Sequence, residues 1–296
     1  MKKFAVISDS TCDLSSQLRN EYSIDYVKMN YVLDGKEYPA SLDWETHSEK
    51  EFYNFMRAGQ RIRTTQVSRE NFLNCFKAYL DKGMDILYIS CSSALSGSVN
   101  LACIIAKELE EEYPDNKVYC VDSLCSSLGQ GMMVLYAARL REEGKDAKEV
   151  AEIIEGMRLK VNQAGTVDNL EYLRRAGRIK ASKAFFGNIF GVKPIIISDI
   201  IGQNYALKKA KGIRNAIAEI TAMTKDAVTQ EGEACLFITH ADAPETAEVL
   251  REEIMKAVPF KKVIMNCIGP IVGASVGPGT VIAFCYGSEV TIEGRE

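Results

Sequence analysis

The chain has 296 residues, of which 47% are hydrophobic and 26% charged, and its 36 basic and 40 acidic residues leave a formal net charge of −4. These values are typical of a globular protein with one large or two medium domains, and they exclude an intrinsically disordered chain. Non-specific binding to nucleic acid requires a dense basic face, which a mildly acidic chain does not offer. We therefore expect no nucleic-acid partner.

The numbers and spacing of histidines and cysteines limit the kinds of site that the chain can form. His47 and His240 are the two histidines of the chain, and its nine cysteines include no Cys-x-x-Cys pair. This pattern is typical of a reduced cytoplasmic protein, so the sequence predicts neither a disulfide framework nor a metal site. Because Ser8 and Asp9 interrupt the first apolar run and no uncharged stretch approaches about 18 residues, we expect no signal segment and no stable membrane insertion.

In the first half of the chain, short apolar runs alternate with longer stretches of helical period. This alternation is the pattern of β-α units on a largely parallel sheet with flanking helices. The predicted strands are Phe4–Ser8, Ile86–Ser90 and Lys117–Val121. Amphipathic periodicity predicts helices at about 99–109, 130–143 and 146–161. The pattern changes near residue 160, so we predict an N-terminal α/β domain over 1–160.

The second half mixes its elements differently and is predicted to be an α+β domain over 161–296. A glycine- and proline-rich stretch at about 269–279 is predicted to be a tight, non-helical loop between two strands. The predicted strands cover about 194–198, 204–208, 234–239, 261–267 and 280–285, and the predicted helices cover about 213–228 and 243–257.

Hydroxyl-rich clusters follow each predicted strand of the first half, at 8–11, 90–98 and 122–123. The carboxyl ends of parallel strands line one edge of a sheet, so these clusters are expected to converge there. The second cluster also precedes a helix, whose N-terminus favours an anion. Serine and threonine are also common helix caps. Three clusters at one edge favour an anion-binding crevice.

Several other motifs are open to two interpretations. Gly273–Gly277 fits the nucleophile elbow of hydrolases, but a strand follows it where that motif requires a helix. The segment Asp9–Asp13 offers two carboxylates to a metal or to phosphoryl transfer, although capping of the following helix is the preferred interpretation. The basic cluster at 174–183 can bind phosphates or an acidic partner, or it can be a solvated helix end. The apolar segment 185–197 is either core or the wall of an apolar cavity.

An ordered series of motifs resembles the DegV family of bacterial fatty-acid-binding proteins. The resemblance extends over nearly the whole chain. The motifs, in chain order, are Ile7–Leu14, Thr64–Gln66, Leu95–Ser98, Val121–Ser123, Leu170–Leu173 with Gly177–Ile179, Lys193–Ile195, and Ile268–Pro270 with Gly277–Gly279.

The resemblance implies two α/β-type domains with a long-chain fatty acid, such as palmitate, stearate or oleate, held between them. It implies a carrier with no cofactor and no catalytic residue of its own, which presents the carboxylate to a separate fatty acid kinase for acyl-phosphate formation. By motif, the carboxylate-binding residues are expected to be Thr64, Thr65, Ser96, Gly97 and Ser98. The acyl-chain pocket is expected to include Phe185, Phe186, Ile189, Phe190 and Ile195.

Two positions depart from the family pattern in the head-group network, the set of polar residues around the fatty-acid carboxylate. Ser275 stands where the family usually carries a histidine, and Lys211 stands where an arginine is expected. Lysine lacks the planar fork of arginine, and serine has no titratable group near neutral pH. Both substitutions therefore bear on the geometry around the carboxylate. The alternative function is a hydrolase or phosphoryl-transfer enzyme that uses Asp9, Asp122 and the serines of the crevice.

Overall fold

The computed structural model describes residues 2–181, 185, 191–230 and 234–294. In this part of the chain the strands form three sheets, of four, six and three strands. The elements of the first half are β1 Phe4–Asp9, α1 Ser16–Glu21, β2 Ile24–Val27, β3 Asn30–Leu33, β4 Lys36–Pro39, α2 Glu49–Arg57, β5 Arg63–Thr65, α3 Arg69–Leu80, β6 Asp85–Ser90, α4 Ser98–Glu112, β7 Val118–Asp122, α5 Ser127–Glu142 and α6 Ala147–Met157. Those of the second half are β8 Val161–Thr166, α7 Leu170–Ala176, β9 Val192–Ser198, β10 Asn204–Lys211, α8 Gly212–Ala227, β11 Leu236–His240, α9 Pro244–Ala257, β12 Val263–Cys267, α10 Pro270–Val276 and β13 Val281–Tyr286.

The first sheet is parallel throughout, with the strand order β2-β1-β6-β7. Its central strands β1 and β6 are nearly continuous apolar runs with almost every residue buried, as expected where helices cover both faces. The three strands predicted for this half correspond to β1, β6 and β7. The predicted α/β class and the parallel first sheet are therefore confirmed.

A small antiparallel sheet of order β4-β3-β5 lies beside the first sheet and was not predicted. Its strands have three or four residues each, too few for a period of two to emerge from the sequence. The sheet matters for function because β5 carries Thr64 and Thr65, which pair with Tyr31 and Asn30 of β3.

Helix α5 is the central element of the molecule. Twelve of its 16 residues are buried, and it packs against β1 and β6 of the first sheet and against β8, β11 and β13 of the second. Close approach requires small residues: a side chain at Gly129 would lie 2.8 Å from the Phe284 ring, and one at Gly131 would lie 2.5 Å from the Cys12 carbonyl oxygen. One apolar cluster thus extends over both sheets. The division at residue 160 stays a prediction, although β8 of the second sheet begins at Val161.

The second sheet has the order β10-β9-β8-β13-β11-β12 and is antiparallel except for the β11–β12 pair. Helices α8 and α9 cover one face, where a second apolar cluster includes the fully buried Ile195. The five strands and two helices predicted for this half are present. The end predicted for the helix at about 146–161 is wrong, because α6 ends at Met157, and a 3-10 turn at Arg158–Lys160 then leads into β8.

The prediction of a non-helical loop at 269–279 is also wrong. Helix α10 occupies Pro270–Val276, with the proline at its first position, where a missing N–H costs nothing. Gly277, at φ +77°, ends the helix in a conformation that favours glycine. The interior Gly273 suggested a turn, but glycine is required there by packing, since a Cβ would lie 2.5 Å from the Tyr53 hydroxyl oxygen.

Candidate functional site

The polar residues that follow β1, β6 and β7 converge at the carboxyl edge of the first sheet, as predicted. Asp9 is fully buried there, and its carboxylate accepts hydrogen bonds from the Tyr88 hydroxyl at 2.8 Å, the Cys91 N–H at 3.2 Å and the Thr11 N–H at 3.0 Å. The amide nitrogen of Gln130 on α5 donates a further bond at 3.2 Å. Asp9 thereby holds the strand ends and α5 together.

The same contacts argue against a catalytic role for the aspartates of the alternative function. Asp9 is saturated by donors of the protein, and Asp122 accepts from the backbone N–H groups of Ser93 at 3.2 Å and Leu124 at 3.0 Å. Both carboxylates therefore organise loops. The expectation that Asp9–Asp13 caps the next helix is wrong, because Ser15 is the N-cap of α1.

Asp13 connects the first half of the chain to α10. Its carboxyl group accepts hydrogen bonds from the Ser127 hydroxyl at 2.5 Å and the Gly269 N–H at 2.9 Å. Burial raises the pKa of Asp13 to about 7, although these two hydrogen bonds oppose the shift. This carboxyl group therefore changes charge near neutral pH, next to the start of α10.

A cavity of about 170 Å³ opens beside this edge, between the first sheet, the small sheet and the second half of the chain. Five residues that were predicted for the site from the sequence line this cavity: Thr64, Thr65, Ser96, Gly97 and Ser275. The apolar part of the wall consists of Met29, Leu95, Leu173, Ile271, Val272 and Val276. The cavity is therefore lined by both hydroxyl groups and aliphatic side chains.

The N-terminus of α4 faces this cavity through Ser96 and Gly97. The Ser96 hydroxyl oxygen accepts the Ser98 N–H at 3.3 Å and lies 3.0 Å from the Ser98 hydroxyl, which in turn accepts the Val67 N–H at 3.2 Å. Ser98 is fully buried and supports Ser96 from behind. The N-cap Gly97 brings no side chain to the helix end, and the dipole of the 15-residue helix favours an anion there.

Ser275 enters the site from α10 and is half-buried. It stands in a helix that is followed by β13, the reverse of the strand, turn and helix order of a nucleophile elbow. The hydrolase interpretation of Gly273–Gly277 is therefore wrong. The helix instead brings the Ser275 side chain to the cavity that Thr64 and Ser96 also line.

Arg178 and Asn204 also line the cavity and were not predicted as head-group residues. The Arg178 guanidinium donates to the Leu95 carbonyl at 2.8 Å and to the Ala176 carbonyl at 2.6 Å, which holds its charge next to Ser96. The basic cluster at 174–183 is the sequence feature that contains Arg178, but the spacing of its residues does not show which arginine lies next to Ser96. Asn204 is the first residue of β10 and belongs to none of the sequence motifs.

A second cavity, of about 220 Å³, adjoins the first and shares Thr64, Arg178 and Ser275 with it. Its opening is basic, since the arginines that line it are Arg61, Arg63, Arg175 and Arg178. These side chains are exposed. An anion held by the hydroxyl groups of the first cavity would therefore face a positively charged entrance.

The remaining predicted residues lie elsewhere. Lys211 is exposed at the end of β10, and Ile195 is fully buried in the apolar cluster beneath α8; neither lines the cavity that holds Ser96. Phe185 is half-buried, with the Lys209 ammonium 5.1 Å from its ring centroid. Phe186, Ile189 and Phe190 lie outside the described residues. The acyl-chain pocket therefore stays a prediction.

The structure is that of an α/β protein with a hydroxyl-lined cavity beside a parallel sheet. The chain belongs to the DegV family: a family model described as "Uncharacterised protein, DegV family" matches residues 3–287. A DegV domain-containing protein of Clostridium perfringens is 34% identical over 287 residues, which cover 97% of this chain and 98% of the relative. The resemblance stated from the motifs is thus confirmed.

Solved structures of the family have the same fold. A DegV family protein of Thermus thermophilus, described as fatty-acid binding, matches with a TM-score of 0.87 at 28% identity, over 97% of this chain and all of that one. DegV of Bacillus subtilis, described as a fatty acid binding protein, matches with a TM-score of 0.80 at 25% identity over 97% and 100% of the two chains. Within the described ranges of the present protein, no helix is both long and apolar enough to cross a bilayer.

Proposed function

We propose that this protein binds a long-chain fatty acid, with the carboxylate at Thr64, Ser96, Ser275 and the N-terminus of α4. The observation that carries the proposal is the cavity in which these hydroxyl groups meet beside aliphatic side chains. The positive end of the α4 dipole and the guanidinium of Arg178 favour an anion at this end. The fatty-acid-binding descriptions of the Thermus and Bacillus relatives agree with this chemistry.

The acyl chain supplies most of the binding free energy in this proposal. At about 0.8 kcal/mol per buried methylene, a C16 chain gains roughly 12 kcal/mol before the costs of association, whereas one hydrogen bond to a charged group contributes about 1.5–3 kcal/mol. In this proposal the carboxylate and the first methylenes lie in the cavity that Ser96 lines. We assign the rest of the chain to the apolar segment with Phe185, Phe186, Ile189 and Phe190.

We further propose that the protein is a carrier, which presents the carboxylate to a separate fatty acid kinase. The second cavity supports this step because it opens onto Thr64 and Ser275, next to the proposed carboxylate position, and is rimmed by arginines. Such a rim attracts an acidic partner surface and the phosphates of ATP. Asp9 and Asp122 are engaged in loop hydrogen bonds, which favours a carrier over the enzymatic alternative.

Lipid identification and ligand binding test the proposed function. Solvent extraction of the purified protein followed by mass spectrometry is expected to recover about one long-chain fatty acid per chain, and the delipidated protein is expected to bind palmitate. Ser96→Ala should weaken palmitate binding by a few-fold to about 100-fold, the range for one hydrogen bond to a charged group.

The matched control is Ser93→Ala, an exposed serine of the same loop, which should leave the affinity unchanged. Hexadecanol should bind more weakly than palmitate to the wild type and lose less affinity on Ser96→Ala. Absence of both co-purified lipid and palmitate binding would refute the carrier. Equal binding of the acid and the alcohol would refute the carboxylate site.

A further inference from the structure

Glu49, His240 and Cys267 meet outside the cavities described above, although they are distant in the sequence. Glu49 is the first residue of α2, while His240 and Cys267 are the last residues of β11 and β12 and are register partners in that parallel pair. One donor atom from each residue lies within 4.8 Å of the other two. The three side chains therefore form a compact cluster where the start of α2 meets the C-terminal ends of β11 and β12.

Contacts around the cluster hold α2 at this edge. The Tyr53 hydroxyl of α2 donates to the Ile268 carbonyl at 2.7 Å, directly after Cys267. One helical turn further on, Arg57 forms an ion pair with Asp242, two residues after His240. The approach of Glu49 to the two strand ends is thus fixed by neighbours on the same helix.

We propose that Glu49, His240 and Cys267 form a zinc-binding site with one position open. Carboxylate oxygen, imidazole nitrogen and thiolate sulfur are all ordinary zinc ligands, and three protein ligands leave a fourth position for water or another ligand. Magnesium and calcium select oxygen donors, so a set with nitrogen and sulfur excludes them.

The spacing fits a tetrahedral ion after small side-chain movements. Zinc–ligand bonds of about 2.0–2.3 Å place tetrahedral ligands about 3.3–3.8 Å apart, so donors that lie within 4.8 Å must close by about 1 Å. Rotation of the Glu49 carboxylate, which is half-buried, supplies such a movement. His240 Nδ1 accepts a long hydrogen bond of 3.4 Å from the Ala243 N–H; ligation through Nε2 moves the ring proton to Nδ1 and breaks this weak contact.

The charges of the cluster match a divalent cation. A divalent metal binds the neutral ring of histidine and the thiolate of cysteine. Zinc replaces the thiol proton, which leaves for solvent, and the carboxylate and thiolate together balance its two charges. Bound zinc would fasten α2 to the second sheet beside α10, the helix that carries Ser275.

The test is a calorimetric titration of the chelator-treated 296-residue protein with zinc alone. Elemental analysis then gives the number of zinc ions per chain. We expect one zinc per chain, and with cobalt alone a thiolate-to-cobalt charge-transfer band in the ultraviolet. Cys267→Ser and Glu49→Gln should each weaken zinc binding by about 100-fold or more, and Cys267→Ser should abolish the band. Cys103→Ser, at an exposed cysteine on α4, is the matched control and should bind zinc as the wild type does.

Circular dichroism of each variant without metal controls for misfolding, and Glu49→Gln keeps the test decisive if Cys267→Ser does not fold. Absence of stoichiometric zinc binding by the wild type would overturn the proposal. So would wild-type affinity in both ligand variants, or loss of binding in Cys103→Ser. Because the measurement uses no lipid, its outcome is independent of the proposed fatty-acid binding.

Discussion

Asp13 is a buried carboxyl group that accepts two hydrogen bonds, from Ser127 at the start of α5 and from Gly269 before α10. Its backbone has a φ of +50°, a conformation that aspartate and asparagine tolerate better than most residues. The folded protein keeps a proton on this group up to a pH of about 7, whereas an unfolded chain loses it near pH 4. Between these pH values the folded state binds more protons, so the free energy of unfolding falls as pH rises.

Asp13→Asn is therefore expected to flatten the pH dependence of stability. Asparagine keeps the geometry, since its carbonyl oxygen accepts from the Gly269 N–H and its amide donates to the Ser127 hydroxyl oxygen. Urea unfolding between about pH 4.5 and 7.5 should show the wild type losing stability relative to the variant, by on the order of a few kcal/mol at most. Asp115→Asn, at an exposed aspartate, controls for the lost charge. Parallel curves for wild type and Asp13→Asn would contradict the assignment.

At the scale of elements, α10 delivers Ser275 to the cavity by packing closely on α2. The contact depends on Gly273, which lies against the Tyr53 hydroxyl; Tyr53 is fully buried and donates to the Ile268 carbonyl. A buried, hydrogen-bonded ring cannot withdraw without losing that bond. The position of Ser275 therefore depends on Gly273, which does not itself line the cavity.

Gly273→Ala should lower the free energy of unfolding by about 1–3 kcal/mol, the cost of overpacking. Gly156→Ala is the matched substitution: Gly156 is exposed in α6, and an added methyl group there would meet no other atom within 4 Å, so alanine should stabilise the helix by roughly 0.5–1 kcal/mol. Urea denaturation of both variants gives the comparison, and palmitate affinity should fall for Gly273→Ala alone. Equal effects of the two substitutions would rule out the proposed packing constraint.

At the scale of the whole molecule, the two cavities divide the work of the proposed carrier. In this proposal the inner cavity holds the carboxylate among hydroxyl groups, and the outer cavity opens between arginines onto the same Thr64 and Ser275. In the proposed reaction a carboxylate oxygen attacks the γ-phosphorus of ATP held by the kinase, and ADP leaves. The arginine rim then contributes to docking, while the hydroxyl groups contribute to retention of the fatty acid.

The double variant Arg61→Ala/Arg63→Ala is expected to separate these roles. In an assay with the cognate kinase and ATP, hydroxylamine traps the acyl phosphate as a hydroxamate. The Michaelis constant for the palmitate-loaded double variant should be about 3- to 10-fold higher than for the wild type, and it should depend less on salt concentration. Palmitate affinity should stay at the wild-type value. The double variant Arg69→Ala/Lys77→Ala, at two basic residues of α3 that pair with Glu108 and Glu112, is the charge-matched control. No hydroxamate from the wild type under these conditions would refute delivery to a kinase.

Sequence patterns alone predicted the β-α alternation of the first half and five strands and two helices of the second, whereas β8, α7 and α10 were not predicted. Apolar periodicity reports which face of an element is buried, and long runs such as β1 and β6 leave little ambiguity. The resemblance to the family predicted Thr64, Ser96 and Ser275 as residues near the carboxylate. The strands of three or four residues were missed because they are too short to show a period.

Which distant residues lie close together could be read from the folded structure but not from the sequence. Arg178 turned out to adjoin Ser96, whereas Lys211 lies exposed at the end of β10. The cluster of Glu49, His240 and Cys267 had no Cys-x-x-Cys or paired-histidine signal, because its members come from three elements far apart in the chain. The physical reason is that such contacts follow from how α2, α5 and α10 pack against other elements. The periodicity of an element shows which of its faces is buried, but not which element covers that face.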